Sequence, residues 1–408
     1  MSIPKQGGDW ILPLLLLAIL LATFLLAAAS VFAQTFTVLY SFKGPPDGVG
    51  PWGGLRLDGS GTLYGTTEQG GASYHGTVFK LSPRGKETVL YSFLAGYGSE
   101  PESTLVRDVK GTLYGTTYRG GAHNLGAVFK LDRKGNETVL HSFDWSDGAY
   151  PNAVIGDARG ILYGSTSMGG ASSGCGTVFR MDAAGRETVL YNFAGGADGC
   201  SPYGALFRDS SGNLYGTTYE GGDSSCQRGG CGTVFKVDTA GTETVLYAFT
   251  YQGGDGAYPY AGVVRDKAGI FYGTTFGGGE PNCGGGYGCG TVFKLDTSGK
   301  ETVLYQFTST GGDGSGPVAS VTLDNAGNIY GTTLGGGDPN CGEFGCGIVF
   351  KLDTAGKETV LHTFTSSNDG AYPRAGLIRD AAGNLYGVAE SGGRPKCGDC
   401  GTVFRLTP

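Results

Sequence analysis

The sequence predicts an all-β fold: a seven-bladed β-propeller of four-stranded antiparallel blades, its ring closed by the N-terminal strand. Three observations predict it. The pentapeptide LYGTT at 63–67 returns unchanged at 113–117 and 214–218, and in near copies at 162–166, 271–275, 329–333 and 385–389. Each period between successive tyrosines, 49 to 58 residues long, holds four short segments rich in β-branched and aromatic residues, and none has helical periodicity. The chain ends complement each other, because residues 36–42 (FTVLYSF) are a fourth-type segment with no repeat before them and residues 401–406 (GTVFRL) are a third-type segment with nothing after them. Tandem four-strand units of this length are the signature of propeller blades.

Residues 1–33 stand apart. A short head with Lys5 precedes an apolar run from residue 11 to about residue 29, and small residues with Val-Phe-Ala follow. This is the pattern of an export signal cut after Ala33, and the run is also long enough to serve as an uncleaved anchor. The propeller is expected over 34–408, secreted, periplasmic or at the cell surface, with membrane contact only through the N-terminal segment if it is retained.

Within each repeat the first segment is a proline-led strand such as PRAGLIRD (373–380), and the second is the LYGTT strand. Between them stands Asp-x-x-Gly, from Asp58–Gly61 to Asp380–Gly383, in all seven copies. An Asp side chain can accept backbone N–H groups of a turn, and Gly takes the left-handed position of a bulged hairpin, so these two strands should form a tight hairpin. The third segment is Gly-x-Val-Phe followed by Lys or Arg, and a similar turn leads to the fourth, as in ETVLYSF (87–93). Across that turn Lys80 is expected to face Glu87, and likewise Lys130/Glu137, Arg180/Glu187, Lys236/Glu243, Lys294/Glu301 and Lys351/Glu358. Seven copies of one motif argue for architecture. Tyr of LYGTT is read as inter-blade packing, and the glycine after it as room for a neighbouring backbone.

All ten cysteines fall between Cys175 and Cys400. Eight form close pairs, Cys226/Cys231, Cys283/Cys289, Cys341/Cys346 and Cys397/Cys400, and the remaining two are Cys175 and Cys200. In an exported chain these read as five disulfides rather than zinc sites, since the pairs sit in successive repeats and the chain has only four His. The four short bridges are expected to be staples that stiffen exposed loops against proteases. No cofactor and no metal site is predicted. The aspartates of the Asp-Gly pairs (Asp47, Asp147, Asp198, Asp255, Asp313, Asp369) supply one carboxylate per blade, which suits a turn better than Ca²⁺.

The units built on LYGTT, GG, GTVFKL and ETVLYSF resemble the bacterial tandem repeats called Gloeobacter/Verrucomicrobia (GloVer) repeats over residues 36–406. The resemblance implies a propeller-like architecture and an exported product, and it brings no established activity or catalytic residues. Many relatives end in a C-terminal sorting segment; this chain ends at Thr407-Pro408, so any anchor is expected at the N-terminus.

A framework repeats, and function is expected where it does not. Strands alternate in direction, so both Asp-x-x-Gly hairpins share one face of the disc, while the cysteines and variable Gly-rich loops share the other. On that loop face, directly after the repeated proline, stand Trp52, Glu102, Asn152, Tyr203, Tyr260, Val318 and Arg374. Seven dissimilar residues at the mouth of a channel suit a ligand with polar groups and flat apolar faces, a polysaccharide or an extracellular protein. Net charge is −7 with no basic run, so nucleic acid is not an expected partner. His75, His123, His141 and His362 lie in different repeats, and no nucleophile–base–acid set is visible. The reading is a non-enzymatic binding or scaffold module. The alternatives are a carbohydrate-active enzyme using carboxylates at the mouth, which would show at least two ionisable groups converging there with shifted pKa, and a purely structural envelope module, which would show neither those nor a connected aromatic patch.

Overall fold

The computed structural model describes residues 34–407 except 95, 97, 158, 172, 227–228 and 394–396; the expected signal or anchor at 1–33 lies outside the described residues. Seven antiparallel four-stranded arrangements follow one another along the chain. In the first blade the strands are Arg56–Leu57, Leu63–Thr67, Thr77–Leu81 and Glu87–Ser92. In the last blade Ile378–Arg379, Leu385–Ala389 and Thr402–Thr407 are completed on the outside by Thr35–Ser41. Phe36 pairs with Leu406 and Ser41 with Thr402 in that ladder. Among the described residues no helix is long and apolar enough to cross a membrane.

The Asp-x-x-Gly motif and LYGTT prove to be one device. In every blade the aspartate accepts the backbone N–H four residues on, as Asp58 does from Thr62 at 3.0 Å and Asp380 from Asn384 at 2.8 Å. Gly61 takes φ +81° in the bulge. In six blades the tyrosine of the next strand donates its hydroxyl to the other carboxylate oxygen, at 3.0–3.5 Å. Its ring meanwhile packs on the following blade: Tyr64 joins the cluster of Leu105, Leu113 and Leu131, and the Arg107 guanidinium lies 5.4 Å from its centre. The first threonine ties blades by hydrogen bonds, for Thr66, Thr116, Thr217, Thr274 and Thr332 each donate to a backbone carbonyl of the next blade's inner segment.

Three expectations about the strands are corrected. The glycine of LYGTT makes room for a ring and not for a neighbouring backbone: a Cβ on Gly65 would stand 2.7 Å from the Phe79 ring of its own blade. We expect Gly216→Ala, which would meet Phe235 at the same 2.7 Å, to destabilise by about 1–3 kcal/mol through overpacking, read as a lower denaturant midpoint at unchanged slope. The Lys–Glu pairs do not form. Lys80 lies opposite Thr88 while Glu87 lies opposite Leu81, and the other five blades repeat this register. The bulged residue of the hairpin shifts the pairing by one, which puts the two charges on opposite faces of the blade. The inner strand is also shorter than the proline-led segment, with two paired residues in most blades. Upstream of them the inner segments leave their own blade and touch one another: a Cβ on Gly204 would stand 2.1 Å from the Gly262 nitrogen.

A ring of phenylalanines fills the space between blades. The Phe that ends each outer strand meets the third-strand Phe of the next blade edge to face, from Phe42–Phe79 at 5.2 Å to Phe364–Phe404 at 5.4 Å, seven pairs in all. All of these rings are buried.

On the loop face the five disulfides join the predicted partners: Cys226–Cys231, Cys283–Cys289, Cys341–Cys346 and Cys397–Cys400 within single loops, and Cys175–Cys200 across neighbouring blades. Their expected setting in exposed loops is corrected. Cys231 and Cys346 are fully buried. Cys231 packs in one cluster with Phe249, Ala257 and Tyr258, and Cys346 in another with Phe364, Ala371 and Leu377. The backbone carbonyls of these two cysteines accept the N–H groups of Tyr258 and Tyr372, the residues before the next repeated proline. The reason lies in their position in the repeat. Each stands directly before the Gly-x-Val-Phe or Gly-Ile-Val-Phe strand, where the chain turns down between blades, so the side chain enters the apolar seam. Cys289 and Cys400 hold the same place and are buried as well. Of the first cysteines, Cys226, Cys341 and Cys397 are half-buried, while Cys283 is buried like its partner. The short bridges therefore moor the loops to the inter-blade core instead of stapling them at their tips.

Candidate functional site

The seven residues that follow the repeated prolines come from seven blades and line one cavity of about 180 Å³ on the axis of the loop face, together with Tyr118. Their equivalence in the repeat places them there, since each inner segment enters the centre at the same height. Their chemistry divides the mouth into sectors. Tyr203 and Tyr260 stack at 4.8 Å and 8°, and Tyr219 meets both edge-on at 5.6 and 6.0 Å. Tyr260 remains 37% exposed, so its ring is available to a ligand. Across the cavity the Arg374 guanidinium lies 4.4 Å from the centre of the Trp52 ring and bonds the Glu390 carboxylate. Asn152 differs from the others. Its amide donates to the Pro202 carbonyl and to the Ser165 hydroxyl at 3.3 Å, so its amide is engaged in holding the next blade.

A second ring escaped sequence reasoning. The residue after each pentapeptide is Glu68, Tyr118, Ser167, Tyr219, Phe276, Leu334 or Glu390. Its backbone N–H is held by the residue before the repeated proline, as Glu68 is by Gly50 at 2.8 Å, Tyr118 by Glu100 at 2.9 Å and Phe276 by Tyr258 at 3.0 Å. The signal was present: one variable position directly follows a nearly constant strand. Its relevance shows only when the loop folds over the mouth.

Carboxylates gather on one side. Burial pushes Glu102 up to about 8, and the negative charges of Glu68 and Glu100 add to this while Arg374 and Arg119 oppose it. Glu68 is raised as well, again chiefly by burial. Glu100 is bound by Arg119 at 3.1 Å, and that guanidinium lies 5.9 Å from the Tyr118 and Tyr150 ring centres, themselves stacked at 4.8 Å. Beside the mouth, sharing Arg374 with it, a groove of about 1060 Å³ runs among the disulfide loops. Tyr219, Tyr258, Phe276, Tyr287 and Phe344 are among its walls, with Glu220, Glu343 and Glu390.

The Asp-Gly aspartates are engaged by the framework. Asp47 accepts the Tyr40 hydroxyl at 2.8 Å and the Gly48 N–H at 2.8 Å. Asp198 and Asp255 bind Tyr191 and Tyr247 in the same way. In two blades a histidine replaces the tyrosine, as His141 on Asp147 at 2.8 Å and His362 on Asp369 at 3.2 Å. Among the described residues no three His, Cys, Asp or Glu side chains are grouped to hold a metal ion.

The Gloeobacter/Verrucomicrobia repeat matches residues 28–174, 138–287 and 282–408, and so covers every blade. The chain belongs to this repeat family. No curated protein matches the chain in sequence. Among solved structures, a catalytically inactive virginiamycin B lyase from Staphylococcus aureus with quinupristin is similar at a TM-score of 0.57 and 13% identity, over 92% of this chain and 99% of that one. The extracellular domain of a protein assigned as a hybrid two-component system of B. thetaiotaomicron is similar at 0.55 and 14%; the chain covers 41% of it, less than half its length. PorZ, a surface component of the type-IX secretion system of Porphyromonas gingivalis, is similar at 0.50 and 13%, with 46% of it covered. At such identities these likenesses are of fold, and the Gloeobacter/Verrucomicrobia repeat here builds a seven-bladed propeller whose variable side chains gather at one mouth.

Proposed function

We propose that this protein is an exported, non-enzymatic binding module that receives a chain-like extracellular ligand, a glycan or a segment of a protein, on its loop face. The observation that carries the reading is the convergence of the variable position of all seven blades on one cavity with a connected tyrosine surface. At about 180 Å³ the mouth is smaller than the ~300 Å³ at the low end of ligand pockets, which limits it to one sugar ring or one side chain. The adjoining groove has room for the units that follow. Five disulfides suit an oxidising compartment and anchor the loops that build the groove. A purely structural module gives no reason for a connected patch of this kind.

The enzyme reading draws on a specific observation, two carboxyls held above their ordinary range on one side of the mouth, Glu102 and its neighbour Glu68, which is the convergence expected of an enzyme. A protonated acid next to a second carboxylate is the pairing used in glycoside hydrolysis. Against it, among the described residues Glu102 receives no hydrogen bond that would fix its orientation, whereas a catalytic acid is held within about 0.5 Å of its working position by such contacts. Binding therefore takes precedence. The test is a combined glycan and peptide array on the purified chain from residue 34, followed by titration of the best hit. Tyr260→Ala should weaken that ligand at least tenfold, about 1.4 kcal/mol, with the melting temperature unchanged because the ring is partly exposed. Undiminished affinity in Tyr260→Ala would overturn the mouth as the site, and release of new reducing ends from a bound glycan would replace binding by catalysis.

A further inference from the structure

Two glutamates beside the mouth, Glu390 in the adjoining groove and Glu100 two residues before Glu102, are matched by the protein's own cations in one recurring arrangement. Arg374 lies over the Trp52 ring and bonds Glu390. Arg119 lies over Tyr118 and Tyr150 and bonds Glu100. In each case a guanidinium sits between an aromatic face, which attracts cations, and a carboxylate. Glu102 lines the same cavity beside Tyr118, Tyr203 and Tyr260 and has no hydrogen-bond or ion-pair partner of this kind among the described residues. We propose that the third cation of this set is brought by the ligand: the mouth takes a lysine or arginine side chain of an extended peptide segment, with Glu102 as its carboxylate partner and the Tyr203–Tyr260 stack as its aromatic wall. This rests on the reading of the mouth as a binding site and names the class of group it receives.

The chemistry favours a peptide over an amino sugar. Ionising Glu102 in its buried position has to be driven by the incoming charge, and lysine and arginine keep their charge through the whole pH range in which Glu102 titrates. The groove adds Glu220 and Glu343 along the path of the chain, carboxylates that suit a basic segment. The charged groups facing Glu102 are Glu68 and Glu100, which oppose its ionisation, and Arg374 and Arg119, which assist it; Tyr118 and Tyr260 stand by as phenols. Binding a permanent cation should therefore release a proton and tighten as pH rises from 6 to 9.

The experiment is calorimetric titration of the chain from residue 34 with N-acetylated, amidated hexalysine and with the same peptide acetylated on every side chain. Hexalysine should bind at least tenfold more tightly than its acetylated form, with a proton released that is read from the dependence of the heat on the buffer. Glu102→Gln should remove most of that preference and the proton release, while keeping the melting temperature. Glu280→Gln, in the second-to-third-strand loop of the fifth blade and outside both cavities, removes one charge from the same face and should leave the preference in place. Equal loss in both variants, or no preference for the charged peptide, would overturn the proposal. If an array glycan binds the mouth in a manner sensitive to Tyr260→Ala but indifferent to Glu102→Gln, the binding reading stands and the cationic class falls. If neither peptides nor glycans are affected by either substitution, both fall.

Discussion

A chain that begins at residue 43 should unfold roughly 10 °C or more below one that begins at residue 34, in a scanning calorimeter at neutral pH. The missing segment is the outer strand of the last blade with Phe42, which follows it. Its loss removes the ladder to Thr402–Thr407 and leaves that strand with an open edge. Phe42, fully buried against Phe79, is one of the seven inter-blade Phe pairs. Phe36 stacks on His362 at 3.6 Å and lies 5.2 Å from Phe404 and 5.8 Å from Phe364, so it seals the sixth blade to the seventh. Deleting a buried Phe side chain alone costs about 3–5 kcal/mol, and here two aromatic side chains with their ring contacts and a ladder go together. Adding the peptide 34–42 in trans should restore part of the loss. An unchanged midpoint would show that the ring does not depend on this closure.

Stability should also fall as the pH rises from about 5 to about 8, and the cause is a second repeated set. Glu87, Glu187, Glu243, Glu301 and Glu358 open the outer strands of their blades, and burial first, then the aspartate of the preceding blade-to-blade loop, pushes each up to about 7. Glu137 is raised by burial alone. In all six, one carboxyl oxygen is buried without a hydrogen-bond partner among the described residues. The folded state thus holds protons that the unfolded state, titrating at about 4.5, gives up. The stabilisation is complete below 4.5 and is lost as pH rises through 7. The hairpin aspartates work the other way. Asp209, Asp324 and Asp380, though burial opposes it, are lowered by hydrogen bonds from the turn, so their contribution is present above the ordinary 3.8 and lost below it. The melting temperature should peak between these limits, near pH 5. Because the glutamates are half-exposed, we discount each to about 1 kcal/mol. Replacing all six by Gln should flatten the fall between pH 5 and 8; a fall of undiminished size would place its origin elsewhere.

Much of this was legible in the chain. Blade number, strand order, the hairpin aspartates and the disulfide partners follow from local rules: residue type, turn chemistry and spacing act within a few residues of one another, and seven copies average out the noise. The failures share a cause. Lys80 and Glu87 looked like partners because their spacing fits a simple hairpin, yet one left-handed glycine shifts the register and sends them to opposite faces. Gly65 looked like a site of backbone approach, and only the fold shows that the ring of Phe79 lies over it. Cys231 and Cys346 looked like surface staples because their loops are rich in glycine, and only the docking of the next blade buries them.

The mouth marks the same division. The sequence alone determined that Trp52, Glu102, Tyr203, Tyr260 and Arg374 occupy equivalent positions, because repetition of the framework fixes where a variable residue must stand. Which of them touch was decided by tertiary structure. The stack of Tyr203 on Tyr260, the Arg374 contact with Trp52, the ring that includes Tyr219 and Glu390, and the raised carboxyl of Glu102 all arise between blades, and Trp52 and Arg374 come from opposite ends of the chain. Their physical reason is closure. Only when seven inner segments are drawn to one axis does water leave their side chains, and desolvation and stacking are properties of that shared space and not of any one repeat.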